Sequence, residues 1–164
     1  MEAFVIMGVS GCGKSLIGAA FAAAIRGKFI DADDLHSVAN RAKMSAGQPL
    51  DDDDRAPWLV SVGQTLRQAT GPVVVGCSAL KRRYRDLIRN ESLRPVMFIY
   101  LAGSQQVLTA RLAGRVGHFM PPSLLASQLA ALEPPTSDEA SISVDINQTP
   151  NAMLAEILRR TLNA

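Results

Sequence analysis

Short runs of apolar and β-branched residues recur along the chain, and longer segments with helical spacing separate them. Apolar runs without polar alternation are typical of strands that are buried on both faces of a sheet. The runs predict strands at residues 4–7, 29–30, 73–75, 96–101 and 142–146.

The intervening segments predict helices. An alanine-rich segment ends near Gly27, and the acidic run at residues 51–54 suits the positive end of a helix dipole. Strands that alternate with helices predict βαβ units, and hence an α/β fold with a parallel sheet covered on both faces. The predicted helices are residues 16–26, a helix after the acidic run, a helix with the apolar face Leu80, Tyr84, Leu87 and Ile88, and residues 105–112, 123–132 and 152–162. The least regular stretches are residues 35–50, 113–122 and 134–140.

Composition narrows the class of protein. The chain has 164 residues, of which 48% are hydrophobic, so we expect one globular domain over residues 1–164. A formal net charge of +2 is too small for general nucleic-acid binding, so no nucleic-acid partner is expected. Cys12 and Cys77 form no zinc or disulfide pattern, which favours a reduced compartment. Without a long apolar run or a basic signal region, the sequence indicates a cytoplasmic protein with no membrane partner.

A glycine-rich loop directly follows the first apolar run. Residues 8–15 read GVSGCGKS and match the pattern G-x-x-x-x-G-K-S/T in full. In such a loop the peptide N–H groups point at one anion, the lysine reaches the β- and γ-phosphates, and the hydroxyl binds magnesium. The GTPase motifs N-K-x-D and D-x-x-G do not occur, so ATP with Mg²⁺ is the predicted ligand. The residues predicted to bind it are Gly8, Ser10, Gly11, Cys12, Gly13, Lys14 and Ser15.

Two carboxylates follow the second apolar run. Alternation along a strand points Asp31 and Asp33 the same way, near the phosphate loop at the carboxyl edge of the sheet. One could hold magnesium through water, and the other could accept a proton from an attacking hydroxyl. The alternative is a pair of solvated loop acids. His36 follows closely and could bind substrate or be structural.

Basic residues near the same edge are candidates for binding an anionic substrate. Arg55 could do so, or could pair with Asp51 or Asp52. Lys81 and Arg85 lie four apart on one helical face, close to the end of the third strand. That strand runs into a cysteine and a serine and lacks the usual Walker B aspartate, so magnesium support falls to Ser15 and the Asp31/Asp33 pair.

Arginines and glycines alternate between two of the predicted helices. Arg111 and Arg115 lie four apart, with Gly114 and Gly117 beside them. A hinged flap at residues 113–122 could bring cations to the phosphates as it excludes water. The alternative is a surface helix end whose cations complement the helix dipole.

Taken together, several segments resemble the gluconokinases of the small P-loop kinase type. They occur in the family's order and at its approximate spacing, and they span almost the whole chain. "DDDDRAPWL" and "CSALKRRYR" are far more specific than the phosphate loop. The segments are MGVSGCGKS, DADDLH, KMSAGQPLDDDDRAPWL, CSALKRRYRDLIR, FIYL, GHFMPPSLLASQLAALEPP and VDINQTP.

The resemblance implies a three-layer α/β/α fold with a five-stranded sheet in the order 2-3-1-4-5. It implies ATP-dependent phosphorylation of D-gluconate at the 6-hydroxyl, and commonly a homodimer. By the same resemblance, Asp33 lies by the acceptor hydroxyl, which leaves Asp31 with Ser15 for Mg²⁺. Cys12 stands at a variable loop position where other small residues often occur.

The resemblance also implies roles for the remaining residues. Substrate binding is expected of Arg55, the Lys81/Arg85 region, His36 and His118, and Arg115 belongs to a closing lid. Gln148 lies in a loop beside the adenine, and Arg111 flanks the other face of the base. Other possibilities from the residues are a kinase for another hydroxy acid such as shikimate, a nucleoside monophosphate kinase, or a non-catalytic nucleotide-binding regulatory protein.

Overall fold

The computed structural model describes residues 1–114 and 122–163. Its strands form one parallel sheet in the order β2-β3-β1-β4-β5. This confirms the α/β fold and the strand order that the sequence and the family resemblance predict. The strands are β1 Ala3–Met7, β2 Lys28–Asp31, β3 Val73–Gly76, β4 Met97–Ala102 and β5 Ser141–Asp145.

Helices connect the strands, and a short 3₁₀ helix at Ala32–Leu35 follows β2. None of the helices in the described ranges is long and apolar enough to cross a membrane. The helices are α1 Lys14–Ala24, α2 Val38–Ser45, α3 Asp52–Gln68, α4 Arg82–Ser92, α5 Gln105–Ala113, α6 Pro122–Ala131 and α7 Pro150–Leu162.

The core lies on both faces of the sheet. Phe4 and Ile6 of β1 pack on one face in a cluster with residues of α1, α5, α6 and α7. Val5 and Met7 point to the other face and join residues of α3 and α4. A central strand that is buried on both sides explains the continuous apolar run in the sequence.

Two helix starts show what the sequence pattern does and does not reveal. At α3, the Asp51 side chain accepts the N–H of Asp54 while Asp54 accepts the N–H of Asp51, so the acidic run is a helix start as predicted. The prediction of an irregular segment over residues 35–50 is wrong for α2, which is capped by Ser37. In α2 the polar residue Asn40 is buried, so no apolar periodicity in the sequence indicates this helix.

Candidate active site

The phosphate loop lies between β1 and α1, at the carboxyl edge of the sheet. Gly13 caps α1 with a φ of 95°, in the left-handed region that favours glycine. The N–H of Gly8 donates to the Ser78 carbonyl at 3.2 Å, which ties the start of the loop to the end of β3. The N-terminus of α1 therefore opens onto the loop, where its dipole favours an anion.

Lys14 lies against the carbonyl side of this loop. Its ammonium group donates to the carbonyls of Gly8 at 2.9 Å and Val9 at 3.1 Å. The Cys12 thiol lies 3.9 Å from the same nitrogen and is fully buried, and burial raises the pKa of the thiol. A Cβ on Gly8 would come within 2.8 Å of this sulfur. The Cys12 side chain therefore packs beneath the loop.

A cavity of about 340 Å³ unites the loop with the acidic residues that follow β2. Residues from the ends of β2 and β3 and a glutamine of α6 meet the loop in this cavity. The sequence predicts the proximity of the loop and the two aspartates, whereas the glutamine is an addition from the structure. The lining residues are Ser10, Gly11, Gly13, Lys14, Ser15, Asp31, Asp33, Gly76, Ser78 and Gln128.

The Asp33 carboxyl has the electrostatic surroundings of a proton acceptor. Burial raises its pKa and the neighbouring charge of Asp31 raises it further, while His36 and Lys14 act in the opposite direction. A carboxylate with a raised pKa is a stronger base than an ordinary aspartate. Asp31 fixes the backbone here, since its Oδ1 accepts the N–H of Asp33 at 2.9 Å.

The donor atoms of the cavity fit Mg²⁺ that arrives with a nucleotide. Ser15 supplies a hydroxyl and Asp31 a carboxylate to the lining of this cavity, and oxygen ligands of this kind suit magnesium. Over the part of the chain that the structure describes, no group of three or more His, Cys, Asp and Glu side chains could hold a metal ion.

His36 lies next to this acidic pair and is held by stacking. Its ring lies 4.2 Å from the Trp58 ring at an interplanar angle of 14°, and Asn40 Nδ2 lies 3.4 Å from its Nδ1. Burial lowers the pKa of His36, which favours the neutral ring. Trp58 in turn donates to the carbonyl of Ala32 at 2.7 Å, which joins α3 to the turn that carries Asp33.

Three cations and a tyrosine surround the Asp52 carboxylate at the start of α3. Lys81 Nζ lies 3.5 Å from Asp52 Oδ1, and Arg83 and the Tyr84 hydroxyl also contact this carboxylate. Arg55 lies 4.0 Å from Asp52 and 3.4 Å from the Tyr84 hydroxyl. We call Arg55, Lys81 and Arg83 the basic cluster. With three cations around one carboxylate, it retains net positive charge.

Arg85 does not join the basic cluster, and the structure contradicts its predicted role in substrate binding. Its side chain is fully buried and forms a double hydrogen bond to Glu139 at 2.7 and 2.8 Å. A third nitrogen donates to the carbonyls of Ala79 at 3.0 Å and Leu80 at 3.3 Å. Arg85 therefore holds the turn before Lys81, where Ala79 has a left-handed φ of 45°.

The predicted adenine-side residues lie close to each other. Arg111, in the last turn of α5, donates to the Ile146 carbonyl, directly before the loop that contains Gln148. Gln148 Nε2 donates to the Asp145 carbonyl at 2.8 Å and to Glu156 at 3.0 Å, which fixes the loop against α7. The two residues thus lie on neighbouring elements, which is what binding of an adenine between them would require.

Two predicted site residues, Arg115 and His118, lie outside the described residues, as does most of the predicted lid at 113–122. Gln128 of α6, which follows this segment in the chain, contacts the phosphate loop. No spacing rule or motif indicates this residue, although it lies in one of the segments quoted for the family resemblance. The sequence indicates Asp52, at the centre of the basic cluster, only as a partner for Arg55.

Comparisons with known proteins extend the likeness to the whole chain. The family model described as shikimate kinase matches residues 10–162. The thermosensitive gluconokinase of Escherichia coli K12 is 49% identical over 89% of this chain and 80% of its own length. The gluconokinase of Gluconobacter oxydans is 46% identical, over 94% and 88% respectively. The chain belongs to the gluconokinase family.

A solved gluconokinase structure agrees with this family assignment. The enzyme from Sinorhizobium meliloti 1021 matches with a TM-score of 0.89 and 45% identity, covering 99% of this chain and 94% of its own. The resemblance that the sequence motifs indicate is thereby confirmed. As a member of the gluconokinase family, the chain is an ATP-dependent carbohydrate kinase.

Proposed function

We propose that the chain transfers the γ-phosphoryl group of ATP to the 6-hydroxyl of D-gluconate, giving 6-phospho-D-gluconate and ADP. The observation that carries the proposal is the cavity shared by the phosphate loop and Asp33. It brings a triphosphate site and a candidate proton acceptor together at one sheet edge. The gluconokinase relatives supply the substrate, since their similarity spans most of the chain.

The donor half of the proposed site is the phosphate loop. The peptide N–H groups around Gly11 and Gly13 hold the β-phosphate, and Lys14 leaves its contacts with Gly8 and Val9 to bind the β- and γ-phosphates. Ser15 and Asp31 would hold Mg²⁺, which supplies charge neutralisation on the phosphates when bound. Arg111 and Gln148 would flank the adenine.

The chemical step transfers one proton and exchanges one P–O bond for another. The 6-hydroxyl oxygen forms a bond to the γ-phosphorus as the bond from this phosphorus to the β–γ bridging oxygen breaks. Asp33 accepts the hydroxyl proton, for which its raised pKa is suited. ADP leaves with the bonding electrons. Positioning of the two substrates and stabilisation of the transferred charge carry most of the catalysis.

The basic cluster is the proposed site for the carboxylate of the sugar acid. Arg55 and Lys81 present charged donors beside Asp52, and the charge of Arg55 lowers the pKa of His36, which in turn neighbours Asp33. A linear hydroxy acid with a carboxylate at one end and a hydroxyl at the other suits such an arrangement. His36 and His118 are proposed to contact the substrate, and Arg115 to stabilise the moving phosphoryl group.

A substrate panel tests the proposal. The purified chain receives ATP, Mg²⁺ and, one at a time, gluconate, other sugar acids, shikimate and nucleoside monophosphates, and ADP release is followed by a coupled assay. We expect turnover with gluconate, with the phosphate on the terminal oxygen by ³¹P NMR. ADP release no higher with gluconate than without it would refute the assignment. Shikimate belongs in the panel because the matching family model carries that name.

Two further expectations from the sequence stand beside this proposal. We propose a cytoplasmic location and a homodimer, the latter implied by the family resemblance. Light scattering on the purified protein in solution measures its molar mass and so tests for the dimer.

A further inference from the structure

Gln128 of helix α6 forms hydrogen bonds to the phosphate loop. Gln128 Oε1 accepts the peptide N–H of Ser10 at 2.8 Å, and Gln128 Nε2 donates to the Ser10 hydroxyl oxygen at 3.1 Å. One amide group thus satisfies both the backbone and the side chain of a single loop residue. The two partners are separated by 118 positions in sequence, so the pair joins distant parts of the fold.

The helix that carries Gln128 is packed against the core. Leu125, one turn earlier, is only 2% exposed and belongs to the core cluster of β1 and α1, and Leu129 packs against that cluster. Gln128 lies one turn after Leu125 on the same side of the helix and lines the same cavity as Lys14 and Asp33. Its amide is therefore presented to the loop by a packed helix, which limits the entropy lost in holding it there.

The first half of the loop is held from two sides. Lys14 binds the carbonyls of Gly8 and Val9 from one side, and Gln128 binds the next peptide N–H, that of Ser10. When Lys14 moves to a bound triphosphate, its contacts with these carbonyls are lost. The Gln128 amide then remains to fix the orientation of the Val9–Ser10 peptide.

We propose that Gln128 is a positioning residue for nucleotide binding, which keeps the phosphate loop in its binding conformation after Lys14 has turned to the phosphates. The inference rests on the proposed function in requiring that this loop binds ATP. Since the contact is with the loop, nucleotide affinity depends on Gln128, whereas acceptor affinity does not.

The test measures nucleotide binding directly, by calorimetry with Mg²⁺ and a non-hydrolysable ATP analogue. Gln128→Met keeps the length of the side chain and removes both hydrogen bonds. We expect the Kd for the analogue and the KM for ATP to rise about tenfold, with the KM for gluconate changed less than about twofold. Ser127→Ala, an exposed position on the same helix, is the matched control and should bind as the parent chain does.

A double-mutant cycle separates positioning from a general structural role. Ser10→Ala removes the hydroxyl but keeps the peptide N–H for Gln128, so it should weaken binding about threefold in the parent chain and have no further effect with Gln128→Met. Unchanged or tighter nucleotide binding in Gln128→Met overturns the inference. Additive effects in the cycle also overturn it, as do equal rises in the KM values for ATP and gluconate. If Gln128→Met does not fold, Gln128→Asn, whose shorter side chain does not reach Ser10, takes its place in both measurements. If the parent chain itself binds no analogue, the proposed function fails instead.

Discussion

Removing the charge of Glu139 should destabilise the fold through Arg85. The Glu139 side chain is fully buried and accepts hydrogen bonds from Arg85, from Arg89 at 2.8 Å and from the N–H of Thr136 at 3.2 Å. Glu139→Gln keeps the shape but leaves the buried guanidinium of Arg85 without a charged partner. Losing one partner of a buried ion pair is among the costliest single changes in a protein.

The pKa of Glu139 gives the magnitude. Burial alone would raise this pKa, but the hydrogen bonds from Arg85 and Arg89 outweigh burial and lower it from the ordinary 4.5 to about 2. Since one pKa unit corresponds to about 1.4 kcal/mol, the ionised Glu139 contributes about 3 kcal/mol to folding. A lowered folded-state pKa means that this contribution is complete above pH 4.5 and is lost as the pH falls toward 2.

Urea unfolding followed by circular dichroism measures the effect. At pH 7 the variant should unfold with a free energy about 3 kcal/mol below the parent, and about half of this difference should remain at pH 3. Asp138→Asn is the matched control, because Asp138 is the neighbouring residue and pairs with Arg82 at the surface. The loss of unfolding free energy in Asp138→Asn should be much smaller. Equal stability of Glu139→Gln and the parent at pH 7, or a difference that does not shrink in acid, would refute the reasoning.

Other predictions address the site itself. Lys14→Ala should lower kcat at least about 100-fold with an unchanged circular dichroism spectrum, and near-normal kcat would contradict its role at the phosphates. The kcat/KM profile should fall in acid through the pKa of Asp33, which burial and the charge of Asp31 raise above the 3.8 of an ordinary aspartate. An acid limb at or below pH 3.8 would exclude Asp33 as the titrating group. Arg55→Gln should raise the KM for gluconate about tenfold and leave that for ATP unchanged, with the exposed Arg67→Gln as control. The thiols of Cys12 and Cys77 should resist alkylation at pH 8 until the protein is denatured, since burial raises both pKa values, that of Cys77 to about 12; rapid labelling of native protein would show that they are accessible.

The sequence predicts the three central strands well because β1, β3 and β4 are buried on both faces. An apolar run of four to six residues between helical segments then leaves little choice of structure. The phosphate loop is equally predictable, since its spacing encodes backbone geometry directly, as the left-handed φ of Gly13 illustrates. Helix α2 escapes prediction because it is exposed almost all round, so its sequence has no apolar face.

Long-range pairing is what the sequence does not reveal. Arg85 shares a helical face with Lys81 by spacing, yet α4 begins only at Arg82, and Glu139 lies 54 positions away. The spacing indicates a basic face, but only the fold shows that one member of that face is neutralised in the core. Gln128 is a similar case, because its contact with Ser10 depends on the packing of α6 against the sheet.

The central claim is that the phosphate loop and Asp33 act together on a sugar acid. Steady-state ADP release with ATP, Mg²⁺ and gluconate, compared between the parent chain and Asp33→Asn, tests it most directly. The account predicts multiple turnovers that need gluconate, and a kcat at least about 100-fold lower in the variant, whose nucleotide Kd is unchanged. Near-normal kcat in Asp33→Asn, or ADP release that is independent of gluconate, would contradict it.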